Sequence, residues 1–322
     1  METPEAGPEI SIVIPVHNSS GTIAKCLDSL IRLTHPSFEV IIVDDGSTDT
    51  TLEICHSYPT VKVIPVPKGG PSRARNIGIA QSRGQFVAFT DGDCVVDRHW
   101  LDELRKGFLA PNVAGVGGDQ VSPQDDTDTG KLIQAFLKTI GFVADYVKSG
   151  ASLRPTAHNP SCNSMYRKEV LTECGAFNEE LWPGEDVELD FKISRLGYTL
   201  MYNPAARVAH YRPSSYAKLA RMFKRYGAGQ GYLARKYGMF RPIHWVPLLI
   251  VLASLVLALL SWWSPWVLLS LLALPLGSFL WFTSVTRSWS TGLRFVWMLA
   301  IVLFSWDIGF VAAYFNGTRD RA

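Results

Sequence analysis

Between Glu9 and about Asp93 the chain alternates short apolar runs with longer stretches of helical character. The runs Ile10–Val16, Phe38–Val43, Val61–Val66 and Phe86–Thr90 have the length and the Val/Ile/Phe content of buried strands. Between them, Thr22–Arg32, Thr48–Ser57 and Ser72–Ser82 each open on Ser, Thr or Gly/Pro punctuation and read as helices. This alternation leaves few solutions. It predicts a doubly wound, mostly parallel α/β sheet. Asp97 is then expected to cap a helix near Arg98–Phe108, followed by a strand over Val113–Gln120.

Such sheets bind ligands at the carboxyl ends of their strands, and acids gather where these strands end. Gln85-Phe-Val-Ala-Phe-Thr-Asp-Gly-Asp93 delivers Asp91 and Asp93 on either side of Gly92, a pair suited to a hard divalent cation such as Mg²⁺ or Mn²⁺. The pattern alone is weak, because Asp126 and Asp128 repeat it in a polar stretch. A second strand-plus-acid unit, Val40-Ile-Ile-Val-Asp-Asp-Gly-Ser-Thr-Asp49, strengthens it. Either Asp44 or Asp45 can accept a hydrogen bond from an imide N–H such as that of uracil. Pro15, Val16, His17 and Asn18 lead into a helix start, where backbone N–H groups can face a base or phosphate. Lys68 and Arg75 bring cations on a Gly-rich loop to a diphosphate. Each segment alone reads equally as a solvated turn; in sequence order they describe one nucleotide-and-metal crevice.

Downstream, Trp182-Pro-Gly-Glu-Asp-Val-Glu-Leu-Asp-Phe-Lys-Ile-Ser-Arg195 has a forced turn and then helical periodicity over Glu185–Leu196. Glu185 and Asp186 stand at the helix N-terminus, where the dipole favours anions. They are either caps or a general base for an attacking hydroxyl. His210, after the strand-like end of Ala205-Ala-Arg-Val-Ala-His210, is a candidate third metal ligand, with a structural role the alternative.

Hydrophobic residues make up 47% of the 322 and charged residues only 19%, an imbalance concentrated at the C-terminus. Ile243–Trp262, Trp266–Phe282 and Phe295–Phe315 each approach the roughly 20 residues of a spanning helix. Trp245, Trp262, Trp263, Trp266, Trp281, Trp289 and Trp297 cluster near their ends, as interfacial aromatics do. Three transmembrane helices are expected, the middle one shortest. After Asp190 the next acid is Asp307, whereas Arg207, Arg212, Lys218, Arg221, Lys224, Arg225, Arg235, Lys236 and Arg241 precede the first span. Arg287 and Arg294 lie between the second and third spans. Positive charge on the inner side puts the N-terminal domain in the cytoplasm, in a multi-pass inner or plasma membrane protein, although Arg319 and Arg321 oppose an outside C-terminus. The acidic start Met1-Glu-Thr-Pro-Glu5 reads as no signal peptide. Cys26, Cys55, Cys94, Cys162 and Cys174 are odd in number and irregularly spaced, as reduced thiols are. Asn316-Gly-Thr318 matches a glycosylation sequon by coincidence.

Ser11-Ile-Val-Ile-Pro-Val-His-Asn18, Val43-Asp-Asp-Gly-Ser-Thr-Asp49, Ala74-Arg-Asn-Ile-Gly78 and Phe89-Thr-Asp-Gly-Asp93 resemble the successive motifs of family 2 glycosyltransferases over roughly residues 9–210. These are inverting GT-A-fold enzymes that use nucleotide-diphospho-sugars and a divalent metal. The resemblance implies Pro15, Asn18, Asp45 and Arg75 at the nucleotide, Asp91 at the ribose or metal and Asp93 on the metal. It implies Asp186 as the base and supports His210 beside the metal. The stretch Asn159-Pro-Ser-Cys-Asn-Ser-Met-Tyr-Arg167 looks like the family's loop lining donor sugar and acceptor, with Asn163 on sugar hydroxyls and Trp182 stacked on a sugar face. The Gln-x-x-Arg-Trp motif of processive relatives is absent from the expected region, where Arg221-Met-Phe-Lys-Arg-Tyr-Gly-Ala-Gly-Gln230 stands instead. That favours single-sugar transfer.

The expected organisation is a catalytic domain over 1–212, with a nucleotide-sugar half at about 9–120 and an acceptor half at about 121–212. A basic amphipathic segment over 213–241 and a membrane region over 242–322 follow. Around Tyr216–Tyr226, Tyr216, Leu219, Phe223 and Tyr226 share one helical face and Lys218, Arg221 and Arg225 another. This pattern fits a helix in the headgroup plane and an anionic lipid acceptor, such as a polyprenyl-diphosphate glycan, or else a charged surface helix. The expected partners are a nucleotide-sugar donor, a lipid-linked acceptor and the membrane, without nucleic acid, in exopolysaccharide or cell-envelope assembly. The alternatives are a transferase acting on polyprenyl phosphate itself and a catalytically silent membrane module. A nucleotidyltransferase fits less well, because Pro15-Val-His-Asn18 is not a Gly-rich phosphate loop.

Overall fold

The computed structural model describes residues 7–141 and 152–317. The chain divides into two units, Met1–Arg212 and Pro213–Ala322. The residues Met1–Glu5, Thr318, Arg319 and Arg321 weighed above lie outside the described residues.

In the first unit β1 (Ile10–Val16), α1 (Ile23–Ile31), β2 (Phe38–Asp45), α2 (Thr51–His56), β3 (Val61–Val66), α3 (Pro71–Gln81) and β4 (Phe86–Phe89) alternate strictly. There follow β5 (Cys94–Val96), α4 (Trp100–Lys106), β6 (Val113–Val121), α5 (Asp128–Thr139), β7 (Arg154–Thr156), β8 (Ser164–Arg167), α6 (Lys168–Glu173), α7 (Glu185–Arg195) and β9 (Thr199–His210). The strands form one sheet in the order β3-β2-β1-β4-β8-β6-β9-β5, with β7 on β9. β3, β2, β1 and β4 are mutually parallel, β8 is antiparallel to both its neighbours, and β6 pairs parallel with β9. The sheet is therefore mixed but mostly parallel, as the alternation predicted.

Apolar residues cover both faces. Ile12 and Ile14 of β1 join one core with Leu27 and Leu30 of α1, while the intervening Val13 faces a second core with Ile79 of α3 and Leu189 of α7. This two-sided burial is what continuous Val/Ile runs, rather than alternating ones, specify. The order reverses between β1 and β4, since β1 leads on to β2 at one side and β4 pairs at the other. A crevice opens at the carboxyl ends where such a reversal occurs.

The β6–β9 ladder slips where Gly118 pairs with Asn203 but Asp119 pairs with Arg207, so β9 carries the extra residues Pro204, Ala205 and Ala206. At Gly118 a side chain is excluded, because a Cβ would lie 1.9 Å from the Ala206 carbonyl oxygen. Beyond this bulge β9 pairs antiparallel with β5, setting His210 opposite Cys94.

In the second unit α8 (Tyr216–Tyr237) is followed by a 3₁₀ turn (Pro242–His244), α9 (Val246–Leu260), α10 (Pro265–Thr286) and α11 (Trp289–Asn316). Among the described residues two helical stretches, Pro242–Leu260 and Trp289–Asn316, are long and apolar enough to cross a membrane. The expected middle span falls in α10, whose described apolar stretch Leu272–Thr286 is shorter than that requirement. Two of the three expected spans thus have a candidate helix among the described residues.

The amphipathic helix continues to Tyr237 and buries Leu219, Phe223 and Leu233. It lies along α11 with glycines at the contact. A Cβ on Gly227 or Gly231 would meet the carbonyl oxygens of Trp306 or Phe310 at 2.0 and 2.3 Å, and one on Gly309 would meet that of Lys224 at 1.9 Å. Small residues on both sides let two backbones approach as membrane helices do.

Candidate active site

The carboxyl ends of β1, β2 and β4 bring the sequence-predicted acids to one edge of the sheet. Val16 pairs with Asp44, and Val13 with Phe89 just before Asp91. Asp45 is buried and accepts from the Gly69 and Gly70 N–H groups at 2.7 and 2.8 Å, so its carboxylate fixes the Lys68–Gly70 loop. Asp44 is buried too. Its Oδ2 accepts from the Ser47 N–H at 3.2 Å, while Oδ1 has no partner in the described residues. An acceptor left open there suits a donor N–H from a ligand.

The β1 turn is more occupied than its sequence implied. Asn18 is left-handed (φ 50°), and its Oδ1 accepts from the Thr48 N–H at 2.8 Å. The N–H groups of Asn18, Ser19 and Ser20 donate to Ser47 Oγ, Thr51 Oγ1 and Asp49 Oδ2 at 2.9, 2.7 and 3.2 Å. Those donors, expected to face a base or phosphate, instead tie the β1 turn to the β2 turn. Pro15 and Val16 are buried, with Val16 against Gly92; His17 is half-buried, and Lys68 is exposed.

Arg75 is the hub. It is buried, and its guanidinium donates from Nη2 to Asp91 Oδ1 and from Nη1 to Glu185 Oε1, both at 2.8 Å. A rigid fork thus ties the β4 acid to the start of α7, at a spacing that two flexible pairs would not hold. Glu185 is buried, and burial together with the neighbouring Asp186 raises its carboxyl to about 8 against the pull of Arg75. Asp186 points the other way. Its side chain is 20% exposed, with Oδ2 accepting from the Ser161 N–H at 3.3 Å and Oδ1 from the Val187 N–H at 2.9 Å. The two adjacent acids therefore separate into a buried anchor and an open carboxylate able to take a proton.

Two residues behind Asp186 escaped the sequence reading. His158 Nδ1 lies 2.7 Å from Asp190 Oδ2, and its Nε2 faces Asp186 Oδ2 at 4.0 Å. Asp190 also accepts from the Asn159 N–H at 2.6 Å and the Tyr166 hydroxyl at 2.8 Å. The signal for Asp190 was present: one helical turn after Asp186 it shares that face of α7. His158, distant in sequence and beside a proline-containing loop, gave no such signal.

At the metal end, Asp93 is 46% exposed at its side chain and its Oδ2 lies 3.6 Å from His210 Nε2. Burial opposes charge on this histidine, yet Asp93 and Cys162 outweigh it and raise His210 to about 10; burial likewise opposes charge on Asp93, which His210 nonetheless holds below the usual carboxylate range. Carboxylates at Asp91 and Asp93 with an imidazole at His210 form a donor set that fits a hard or borderline divalent cation.

Asn163, expected on sugar hydroxyls, is fully buried and engaged within the fold: Trp100 Nε1 donates to Oδ1 at 2.8 Å, and Nδ2 donates to the carbonyls of Asp119 and Ala206 at 2.8 and 3.0 Å. It braces β6, β9 and α4. Trp182, in contrast, is 51% exposed directly before the Pro183–Gly184 turn into α7.

The sequence model described as Glycosyl transferase family 2 matches residues 11–175, just over half of the chain. The chain belongs to glycosyl transferase family 2. It is 32% identical over 202 residues to glycosyltransferase AglE of Haloferax volcanii, covering 61% of this chain and 64% of that one. It is 26% identical over 243 residues to the Methanococcus voltae dolichyl N-acetyl-alpha-D-glucosaminyl phosphate 3-beta-D-2,3-diacetamido-2,3-dideoxy-beta-D-glucuronosyltransferase, covering 70% and 74%. The chain spans 44% to 64% of the first curated relatives it matches. In fold it is similar to a mannosyltransferase from Pyrobaculum calidifontis solved with GDP-Man and Mn²⁺, at a TM-score of 0.64 and 20% identity over 94% of this chain and 88% of that one. The GT-A-like fold expected from the four motifs is thereby established, together with the family.

Proposed function

We propose that this family 2 protein transfers one hexose, with inversion, from a nucleoside-diphosphate sugar, UDP-linked by preference, to a lipid-linked glycan at the cytoplasmic face of a membrane. The observation that carries the reading is the Arg75 fork. It joins Asp91 to Glu185, the residue before Asp186 at the start of α7, through two contacts of 2.8 Å, which supports nucleotide end and base acting as one assembly. Asp44 and Asp45 lie at the base end of the crevice, and Lys68 and the Gly69–Gly70 turn lie near a diphosphate. Asp186 takes the acceptor hydroxyl's proton as that oxygen attacks the anomeric carbon. Attack opposite the leaving diphosphate gives inversion in a single displacement, as in inverting glycosidases. Asp91, Asp93 and His210 would hold a divalent cation. When bound, that ion neutralises charge on the departing diphosphate. Trp182 offers an exposed aromatic face for a sugar.

The membrane setting rests on the two apolar helices and on the basic residues preceding them. The Methanococcus relative's name specifies a dolichyl-phosphate-linked sugar as acceptor, which supports the lipid-linked reading for this chain. The test is nucleoside diphosphate release from a panel of nucleotide sugars by membranes containing the full chain, with lipid extract, and with and without Mn²⁺ or Mg²⁺. Metal-dependent release from one donor, lost in Asp93→Asn, is expected. Release from no donor overturns the reading. A phosphate nucleophile is already ionised, so activity on polyprenyl phosphate alone that survives Asp186→Asn would move the acceptor to the lipid phosphate itself.

A further inference from the structure

Beside Asp93 and His210 lie two thiols that the sugar-transfer chemistry leaves unused. The ligand atoms of Cys94, Cys162 and His210 all fall within 4.8 Å of one another. They come from distant parts of the chain. Cys94 opens β5 and pairs across the ladder with His210, while Cys162 arrives from the loop before β8. We propose that these three side chains form a second metal site for a thiophilic divalent ion such as Zn²⁺, and that its occupation competes, through His210, with the hard cation held by Asp91 and Asp93.

The dimensions support this. A zinc tetrahedron with bonds of about 2.3 Å to sulfur and about 2.0 Å to nitrogen or oxygen has edges of about 3.5–3.8 Å. Cys162 Sγ stands 3.9 Å from His210 Nδ1. Two sulfurs and an imidazole select zinc-like ions, whereas Mg²⁺ and Mn²⁺ prefer oxygen. The ion also has a way in: both thiols are buried, but the Asp93 side chain beside them is 46% exposed.

Competition follows from the shared histidine. His210 turns Nε2 toward Asp93 Oδ2 at 3.6 Å and Nδ1 toward Cys162, so each ring nitrogen serves one site. A neutral imidazole has one lone pair, and capture of Nδ1 leaves Nε2 as a donor that cannot ligate. Nδ1 now lies 3.2 Å from Gln120 Oε1, which also accepts from Arg212 Nη2 at 2.9 Å and so keeps a partner when the imidazole turns to a metal.

The full chain in detergent, stripped of metal, is titrated with Co²⁺ while thiolate-to-cobalt absorption is recorded. One equivalent with that absorption is expected, displaced by Zn²⁺, lost in Cys162→Ser and retained in Cys174→Ser. Absorption absent from the wild type, or unchanged in Cys162→Ser, overturns the site. Where a variant fails to fold, X-ray absorption of the zinc-loaded wild-type chain carries the same test: sulfur in the zinc coordination shell is expected, and a shell of oxygen and nitrogen alone overturns it. One equivalent of Zn²⁺ should weaken Mn²⁺ binding at least tenfold, and unchanged Mn²⁺ affinity overturns the competition. None of these readouts depends on sugar transfer, so failure here leaves the transferase reading standing.

Discussion

Replacing Asn163 by leucine separates a brace from a sugar contact. Leucine keeps asparagine's branch at Cγ, so the change removes the hydrogen bonds, and its bulkier methyls add an overpacking cost of the same sign. Three groups lose their partner: the Trp100 indole N–H and the carbonyls of Asp119 and Ala206, now bonded at 2.8, 2.8 and 3.0 Å. Trp100 and Asn163 are both completely buried, so water does not replace those bonds. Each orphaned buried group costs about 1–3 kcal/mol, and the three together at least about 3 kcal/mol. A domain of about 200 residues loses roughly 2–4 °C of transition temperature per kcal/mol. Asn163→Leu should therefore lower the thermal transition of the full chain by roughly 6–12 °C, read by tryptophan fluorescence. At temperatures where the variant is folded, donor KM should be close to that of the wild type. An unchanged transition with donor KM raised tenfold or more would refute the argument and return Asn163 to the sugar.

Three further outcomes follow from the geometry. Asp186→Asn should lower kcat about 10²–10⁴-fold in steady-state assays with little change in donor KM or thermal transition, because the group removed is the part-exposed carboxylate proposed as the base. Glu185 is raised from 4.5 to about 8, chiefly by burial, so on folding it takes up a proton that the unfolded chain has lost. Its contribution to stability is full below about 4.5 and falls away as pH climbs through about 8, so a thermal series over that window should show wild type losing stability relative to Glu185→Gln. Gly227→Leu should cost the second unit at least about 2 kcal/mol in thermal unfolding, since its Cβ would lie 2.0 Å from the Trp306 carbonyl oxygen. Gly277→Ala, with open space around it, is the control and should be silent.

The strand-helix alternation was legible because the first strands are unbroken apolar runs. β1 and β3 begin and end at the residues the pattern indicates. β2 runs two residues further, to Asp45, because backbone ladders with Pro65 and Val66 continue whether or not the side chain is charged. β8 was missed: Ser164 and Arg167 at its ends give it no apolar signature, and neighbours distant in sequence define it. The glycines of α8 give no sign in the sequence of their purpose, which is close approach to α11. In the candidate site, the motifs single out Asp45, Asp91, Asp93 and Asp186, but not which way each side chain turns. Motif spacing cannot reveal that Arg75 draws Glu185 inward, or that Asn163 faces a tryptophan.

The three extra residues of β9 carry a consequence for how the family can vary. A strand alternates sides at every residue, so insertions and deletions behave like shifts of a reading frame. Loss of one residue among Pro204–Ala206 would put the remainder of β9 out of phase and turn His210 to the opposite side of the sheet from Asp93. The segment is held to its count of residues, and at the fully buried Ala206 to a small side chain as well. Length, more than identity, is what evolution is constrained to preserve there.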